Sequence, residues 1–291
     1  MNKIALGTAQ FGMDYGINNL RGKIPSKEAF AILDEAARSG IDTLDTATAY
    51  GESENILGEF LKLNKNKYRV VSKLPGELLT DLKEIVNASL EKLNIGSFYG
   101  YLFHNINTYK EAPLRLELLK ELKKEGKINK IGFSLYYPAD LDLILDNDLE
   151  CDLVQVPYSV FDRRFEPYFR RLKDRQIELH VRSVFLQGLL FKPASELGGY
   201  FLPVKGKIAA LRRLAEESSI PLPSMLLNFA LANSSVDRVV VGVDGLDNLR
   251  ELVASARYLN EFSRIKDRLD GLKEDDEKIL LPFNWKAAVA G

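Results

Sequence analysis

The chain has 291 residues, with 40 Lys plus Arg against 41 Asp plus Glu, for a formal net charge of -1. A balance this even argues against nucleic acid or an anionic membrane as the main partner. The single cysteine, Cys151, excludes an internal disulfide framework and most multi-cysteine zinc sites, and reads as a packed residue. The opening MNKIALGTAQFG has no long apolar segment, so neither a signal peptide nor an anchor is expected and a cytoplasmic location is the default. One α/β barrel of roughly 250 residues plus insertions fits this length without a second domain. A single domain over residues 1–291 is therefore expected, with the tail 261–291 packed on the barrel.

KIALG, residues 3–7, is an apolar run stopped by glycine and reads as a first strand. The long glycine-rich loop TAQFGMDYGINNLRGKIP follows, and a loop of that length in a compact domain is usually functional. Ser26 is expected to cap a helix to Ser39, with Ala29, Phe30, Leu33, Ala36 and Ala37 on one face and Gly40 ending it. Strand two is expected over Thr43 to Ala47. A helix over Glu52 to Leu63 buries Ile56, Leu57, Phe60 and Leu61, and strand three spans Arg69 to Leu74.

The alternation then repeats. Thr80 caps a helix to Leu93, strand four is Phe98 to His104, a helix over Ala112 to Glu125 stops at Gly126, and strand five is Lys130 to Ser134. Pro138 to Asp146 is helical, Asp152 to Pro157 is strand six, Arg164 to Arg175 is helical, and Glu178 to Phe185 is strand seven. Helices over Lys205 to Ser218 and Ser224 to Ala232 precede strand eight, Arg238 to Gly242, and a helix over Asp247 to Leu259. Eight continuous apolar strands alternating with helices predict a (β/α)8 barrel of buried parallel strands. A doubly wound open sheet is the competing fold, weakened by the absence of GxGxxG after strand one.

The stretch GIDTLDTATAYGES, from Gly40 to Ser53, concentrates the chemistry. Asp45, Lys73 and His104 fall at the carboxyl ends of strands two, three and four, with Tyr50 in the loop above. Neighbouring parallel strands end about 5 Å apart, so the four side chains are expected to converge. A phenol with an ordinary pKa of about 10 is too weak an acid for neutral pH, and a nearby ammonium lowers it. Lys73 is the candidate ammonium, Asp45 would keep it charged, and His104 would hold a carbonyl oxygen. The set suits protonation of a carbonyl oxygen as a hydride arrives from a cofactor, or the reverse oxidation. His180, within strand seven, reads as a core residue. Two histidines without ligand spacing and one cysteine predict no metal.

These stretches, together with VVSKL, YLFHN, KIGFS, VQVPYS and FLQGLL, resemble the aldo-keto reductase superfamily over nearly the whole chain. The resemblance implies a barrel with a nicotinamide cofactor at its carboxyl mouth, Tyr50 as proton donor, Lys73 and Asp45 tuning it, and His104 orienting the substrate. It implies cofactor contacts from Gly7, Thr8, Ser134 and Gln155, the last two to the carboxamide. Leu135 stands where an asparagine is common. Arg182 stands where an aromatic usually stacks on the nicotinamide, and its planar guanidinium can stack too. Ser183, Phe185, Gln187 and Gly188 resemble the loop along the pyrophosphate. Gly242, Val243 and Asp244 resemble the adenosine end, with Asn248 on the adenine side. There Asp244 replaces an arginine that holds the 2′-phosphate, and a carboxylate suits a free ribose hydroxyl instead. NADP(H) is the expected cofactor, gripped by Lys205, Lys207 or Arg250, and Asp244 leaves NAD(H) open.

The substrate is expected to be a small carbonyl compound, with a sugar or other polar carbonyl suggested by Phe11, Met13, Tyr15, Tyr136, Tyr137, Phe161 and Trp285, with Arg163 and Arg164 nearby. Two rival functions are a Schiff-base lyase using Lys73 and a non-catalytic nicotinamide-binding subunit that senses redox state. No nucleic-acid or membrane partner is expected, and no feature of the sequence assigns an oligomeric state.

Overall fold

The computed structural model describes residues 2–17, 19, 21–65, 67–76 and 81–285. Eight strands close in sequence order into a barrel: β1 (Ile4–Gly7), β2 (Thr43–Asp45), β3 (Arg69–Leu74), β4 (Phe98–Phe103), β5 (Ile128–Ser134), β6 (Leu153–Pro157), β7 (Glu178–Arg182) and β8 (Arg238–Val241). Every neighbouring pair is parallel, and β8 closes on β1 through Leu6 opposite Val241. The strands are almost wholly buried because helices cover them outside while side chains fill them inside, where Val71, Leu102 and Leu153 pack together.

The helices bury apolar stripes against this wall. The helix Ser53–Leu63 buries Ile56, Leu57, Phe60 and Leu61 as expected. The helix Ser26–Arg38 buries Ala29, Leu33 and Ala36, but also Ile32, while Phe30 is only partly buried and meets Phe60 at 5.7 Å. Its cap residue is Pro25, so Ser26 is the first helical residue and does not cap. Thr80 lies outside the described residues; the cap of the helix Leu82–Leu93 is Asp81, whose carboxylate accepts from Lys83 N at 2.8 Å.

Two expected elements break up. The segment after Arg164 forms a 3₁₀ turn at Glu166–Tyr168 before the helix Phe169–Asp174 begins, because Pro167 opens it tightly. The helix expected to run from Asp247 to Leu259 ends at Ala254, where Asn228 Nδ2 donates to Ser255 O at 2.9 Å and takes that carbonyl out of the helical ladder. β7 likewise stops at Arg182 rather than at Phe185, since Ser183 turns to φ 62.

The tail folds back by ion pairs and one aromatic anchor. Asp270 meets Arg163 at 2.7 Å, Glu277 meets Arg164 at 2.9 Å and Glu274 meets Lys207 at 3.0 Å. Trp285 is buried edge-on against Phe201, and its indole N–H donates to the carbonyls of Lys278 and Ile279. Cys151 is partly buried beside the core, with burial pushing its thiol up to about 12. Among the described residues no helix is long and apolar enough to cross a membrane.

Candidate active site at the barrel mouth

The carboxyl ends of the strands open into a cavity lined by Asp45, Tyr50, Lys73 and His104, so the four side chains singled out from the strand ends do converge. Lys73 is fully buried and donates to Asp45 Oδ1 at 2.6 Å and to the carbonyl of Thr46 at 2.9 Å. The other oxygen of Asp45 accepts from Gln155 Nε2 at 2.7 Å. Lys73 Nζ sits 5.4 Å from the centre of the Tyr50 ring, and the Tyr50 and His104 rings meet edge to face at 5.9 Å.

The electrostatics correct one expectation. Burial pushes the Tyr50 phenol above its ordinary value, Asp45 adds to the rise, and Arg182 pulls the other way. Burial also draws Lys73 below the usual lysine value, with Asp45 resisting. Burial, with Asp45 adding to it, therefore outweighs the cationic groups around the phenol, and Tyr50 holds its proton firmly at neutral pH. His104 is held down at about 4 by burial first and then by Lys73 and Arg182, so it stands as a neutral imidazole.

The Tyr50 loop is set by backbone contact. Gly12, in the loop after β1, packs so closely that a Cβ there would lie 1.7 Å from Tyr50 O, and Gly51, at φ 51, faces Gly12 O. Ser53 reinforces the join, donating to Thr8 O and lying 2.9 Å from Thr8 Oγ1. The same long loop reaches the opposite wall, where Ile17 N donates to Gln187 O at 3.0 Å and Gln187 Nε2 donates to the Tyr15 hydroxyl at 3.2 Å.

The expected cofactor residues distribute along this cavity. Gly7 and Thr8 line it from β1, and Ser134 and Gln155 from β5 and β6. Arg182, Ser183, Phe185, Gln187 and Gly188 line it from β7 and the following turn, where Ser183, Leu186, Gln187 and Gly188 all take positive φ and fold the backbone back along the wall. Gly242, Asp244 and Asn248 line the far end, with Asp244 N donating to Asn248 Oδ1. Val243 does not line it: its side chain is fully buried in the hydrophobic core, as the residue between two cavity-facing ones.

The basic residues expected at the far end do not line the cavity. Lys207 is tied to Glu274 of the tail and Arg250 to Asp247. Lys205, like them, is not part of the cavity lining. Arg21 of the first loop, also off the lining, donates to Asp244 O at 2.8 Å and forms a two-pronged pair with Glu28. Nothing local in the sequence links Arg21 to a residue 223 positions away. Gln10, beside Asp244 and Gly242, was equally hidden in that loop.

The aromatic wall also sorts differently from the expectation. Tyr15 and Tyr136 line the main cavity. Phe11 and Phe161 are fully buried core residues, Trp285 anchors the tail, Met13 lies off the lining, and Arg163 and Arg164 bind tail carboxylates. A second cavity adjoins the first through His104, Ser134 and Tyr136, with Tyr137, Phe283, Asn107 and the Lys110–Asp140 pair around it.

The residues present fit a nicotinamide dinucleotide. Gln155 keeps its side-chain oxygen free of Asp45 to accept from a carboxamide, and the far end offers the half-buried carboxylate of Asp244 to a ribose. The sequence matches the Aldo/keto reductase family over residues 3–267. It is 28% identical over 304 residues to YqkF of Bacillus subtilis, described as an uncharacterized oxidoreductase, covering 94% of this chain and 98% of that one. It is 24% identical to L-galactose dehydrogenase of Arabidopsis thaliana, covering 94% and 91% of the two chains. The fold superposes on the aldo-keto reductase AKR11C1 from Bacillus halodurans in its holo form with a TM-score of 0.71 at 24% identity, covering 90% and 91%. A closed eight-stranded barrel with this mouth, matched by a family profile along nearly all of its length, makes the chain a member of the aldo/keto reductase family and an oxidoreductase.

Proposed function

We propose that the protein is an NAD(P)H-dependent reductase of a small polar carbonyl compound, with Tyr50 as the proton donor. The convergence of Tyr50, the Lys73–Asp45 pair and His104 on one cavity carries this reading. A bound reduced nicotinamide supplies the hydride. Tyr50, whose burial keeps the phenol protonated, delivers its proton to the carbonyl oxygen. Neutral His104 holds that oxygen by a hydrogen bond, and the Lys73–Asp45 pair fixes the floor under the Tyr50 ring. Ser134 and the free oxygen of Gln155 take the carboxamide. The second cavity, with Asn107, Lys110 and Asp140 at its edge, supports a substrate carrying hydroxyls. The similarity to an L-galactose dehydrogenase agrees with that class.

The test is a titration with NADPH and with NADH, followed by turnover on a panel of hydroxylated and aromatic aldehydes. Tyr50→Phe is expected to bind cofactor as the wild type does and to lose turnover by about 10²–10⁴-fold. Unchanged turnover would remove Tyr50 from the reaction, and binding of neither cofactor would sink the nicotinamide reading. Reduction of aromatic aldehydes alone would remove the polar substrate. At the adenosine end, tighter NADPH binding that Arg21→Ala abolishes assigns the phosphate to Arg21. Equal or tighter NADH binding assigns the free ribose hydroxyls to Asp244.

A further inference from the structure

Arg182 ends β7, opposite Pro157 and one turn of the pleat above His180, and enters the cavity beside Gln155 and Ser134. Its guanidinium carbon lies 4.2 Å from the centre of the Tyr136 ring. One nitrogen donates to Leu135 O at 3.0 Å and another to Ser183 Oγ at 3.3 Å. Both acceptors are neutral. The carboxylate at this end of the cavity, Asp45, is already matched by Lys73 at 2.6 Å and by Gln155. The other lining carboxylate, Asp244, lies at the far end, next to Arg21. Lys73, Asp45 and Arg182 therefore sum to one positive charge at this end, and a guanidinium cannot shed it.

Unbalanced charge in a partly desolvated cavity acts strongly on a charged ligand and little on a neutral one. The two forms of a nicotinamide ring differ in just this way: the oxidised ring is a cation and the reduced ring is neutral. The field of Arg182 is felt across the cavity, since it is among the causes that hold down His104.

We propose that Arg182 makes this site discriminate between the redox forms of its cofactor, favouring the neutral reduced nicotinamide over the cationic oxidised one. The inference rests on the nicotinamide reading above. An aromatic side chain in the same place would offer a flat surface to either form. The guanidinium offers the surface and adds a charge term, which eases departure of the oxidised cofactor and biases the enzyme toward carbonyl reduction.

The experiment measures dissociation constants for the reduced cofactor by its fluorescence and for the oxidised cofactor by competition. Wild type, Arg182→Gln, Arg182→Tyr and Arg182→Lys are compared at one ionic strength, with thermal melts to confirm folding. Wild type is expected to bind the reduced form at least about tenfold more tightly, and both neutral variants to shrink that ratio by about fivefold or more. Arg182→Lys is expected to keep the preference, because it keeps the charge. A ratio that is the same in wild type, Arg182→Gln and Arg182→Tyr overturns the inference while leaving cofactor binding intact. A ratio kept by Tyr and lost by Lys and Gln assigns it to a planar surface rather than to charge, and also overturns it. Wild type that binds neither form overturns the nicotinamide reading itself.

Discussion

Both ends of the barrel hold an ion pair, and the two differ in what surrounds it. At the amino end Glu178 accepts from the Tyr99 hydroxyl at 2.7 Å, bonds His180 Nε2 at 2.8 Å and pairs with Lys130. Burial pushes Glu178 up, but His180, Lys130 and Tyr99 outweigh it and hold the carboxyl well below its usual range. His180 is fully buried within that cluster, bonded through Nε2 while its Nδ1 has no hydrogen-bond partner. At the mouth Asp45 is just as engaged, by Lys73 and Gln155, yet Tyr50, His104 and Arg182 still face the cavity with chemistry unmatched. Ionisable residues at strand ends therefore mark a site when some of them remain without a charge partner, and mark scaffolding when all are matched.

The largest expected effect comes from breaking the mouth. Lys73→Met strands Asp45 as an unpaired buried carboxylate, and a urea titration should show a loss of about 3–5 kcal/mol together with loss of carbonyl turnover. A variant as stable as wild type would mean the pair is not buried as described. Next, Glu178→Ala at the amino end strands the buried His180 Nε2 and should cost about 1–3 kcal/mol while leaving cofactor affinity unchanged. A tenfold weaker cofactor affinity there would dissolve the contrast between the two ends. The smallest effect is the pH term of His104. The unfolded imidazole takes a proton near its ordinary 6.5 and the folded one only near about 4, so acid favours the unfolded chain. Stability from this group is complete above 6.5 and is lost as pH falls toward 4, at about 1 kcal/mol for the first unit. Melting temperatures from pH 7 to 5 should show a slope that His104→Gln flattens; parallel slopes would place the acid sensitivity elsewhere.

The barrel was legible because each strand is a short apolar run between punctuating residues, and a polar residue next to a strand's end, Lys73 before Leu74 or His104 just past Phe103, marks the mouth. What the sequence hid falls into two kinds. Side-chain direction was hidden: Phe11, Phe161 and Trp285 are as aromatic as Tyr136, but they pack into the core and the tail. Long-range pairing was hidden too, since Arg163 meets Asp270 and Arg21 meets Asp244 across the fold, and no local pattern encodes either contact. The state of Tyr50 was hidden for a related reason: sequence places an ammonium near a phenol, but the depth of burial, which raises the phenol, is set by the fold.

The loop after β1 touches the three working parts of the cavity at once. Gly12 abuts the backbone of Tyr50, Tyr15 and Ile17 bond Gln187, and Arg21 bonds Asp244. The Gly12 join tolerates no side chain at all, and the Ile17 join runs through main chain on both sides. The loop is consequently a module: transplanted whole between barrels of this type it would carry its geometry with it, whereas a single-residue graft would bring one contact and leave the others behind.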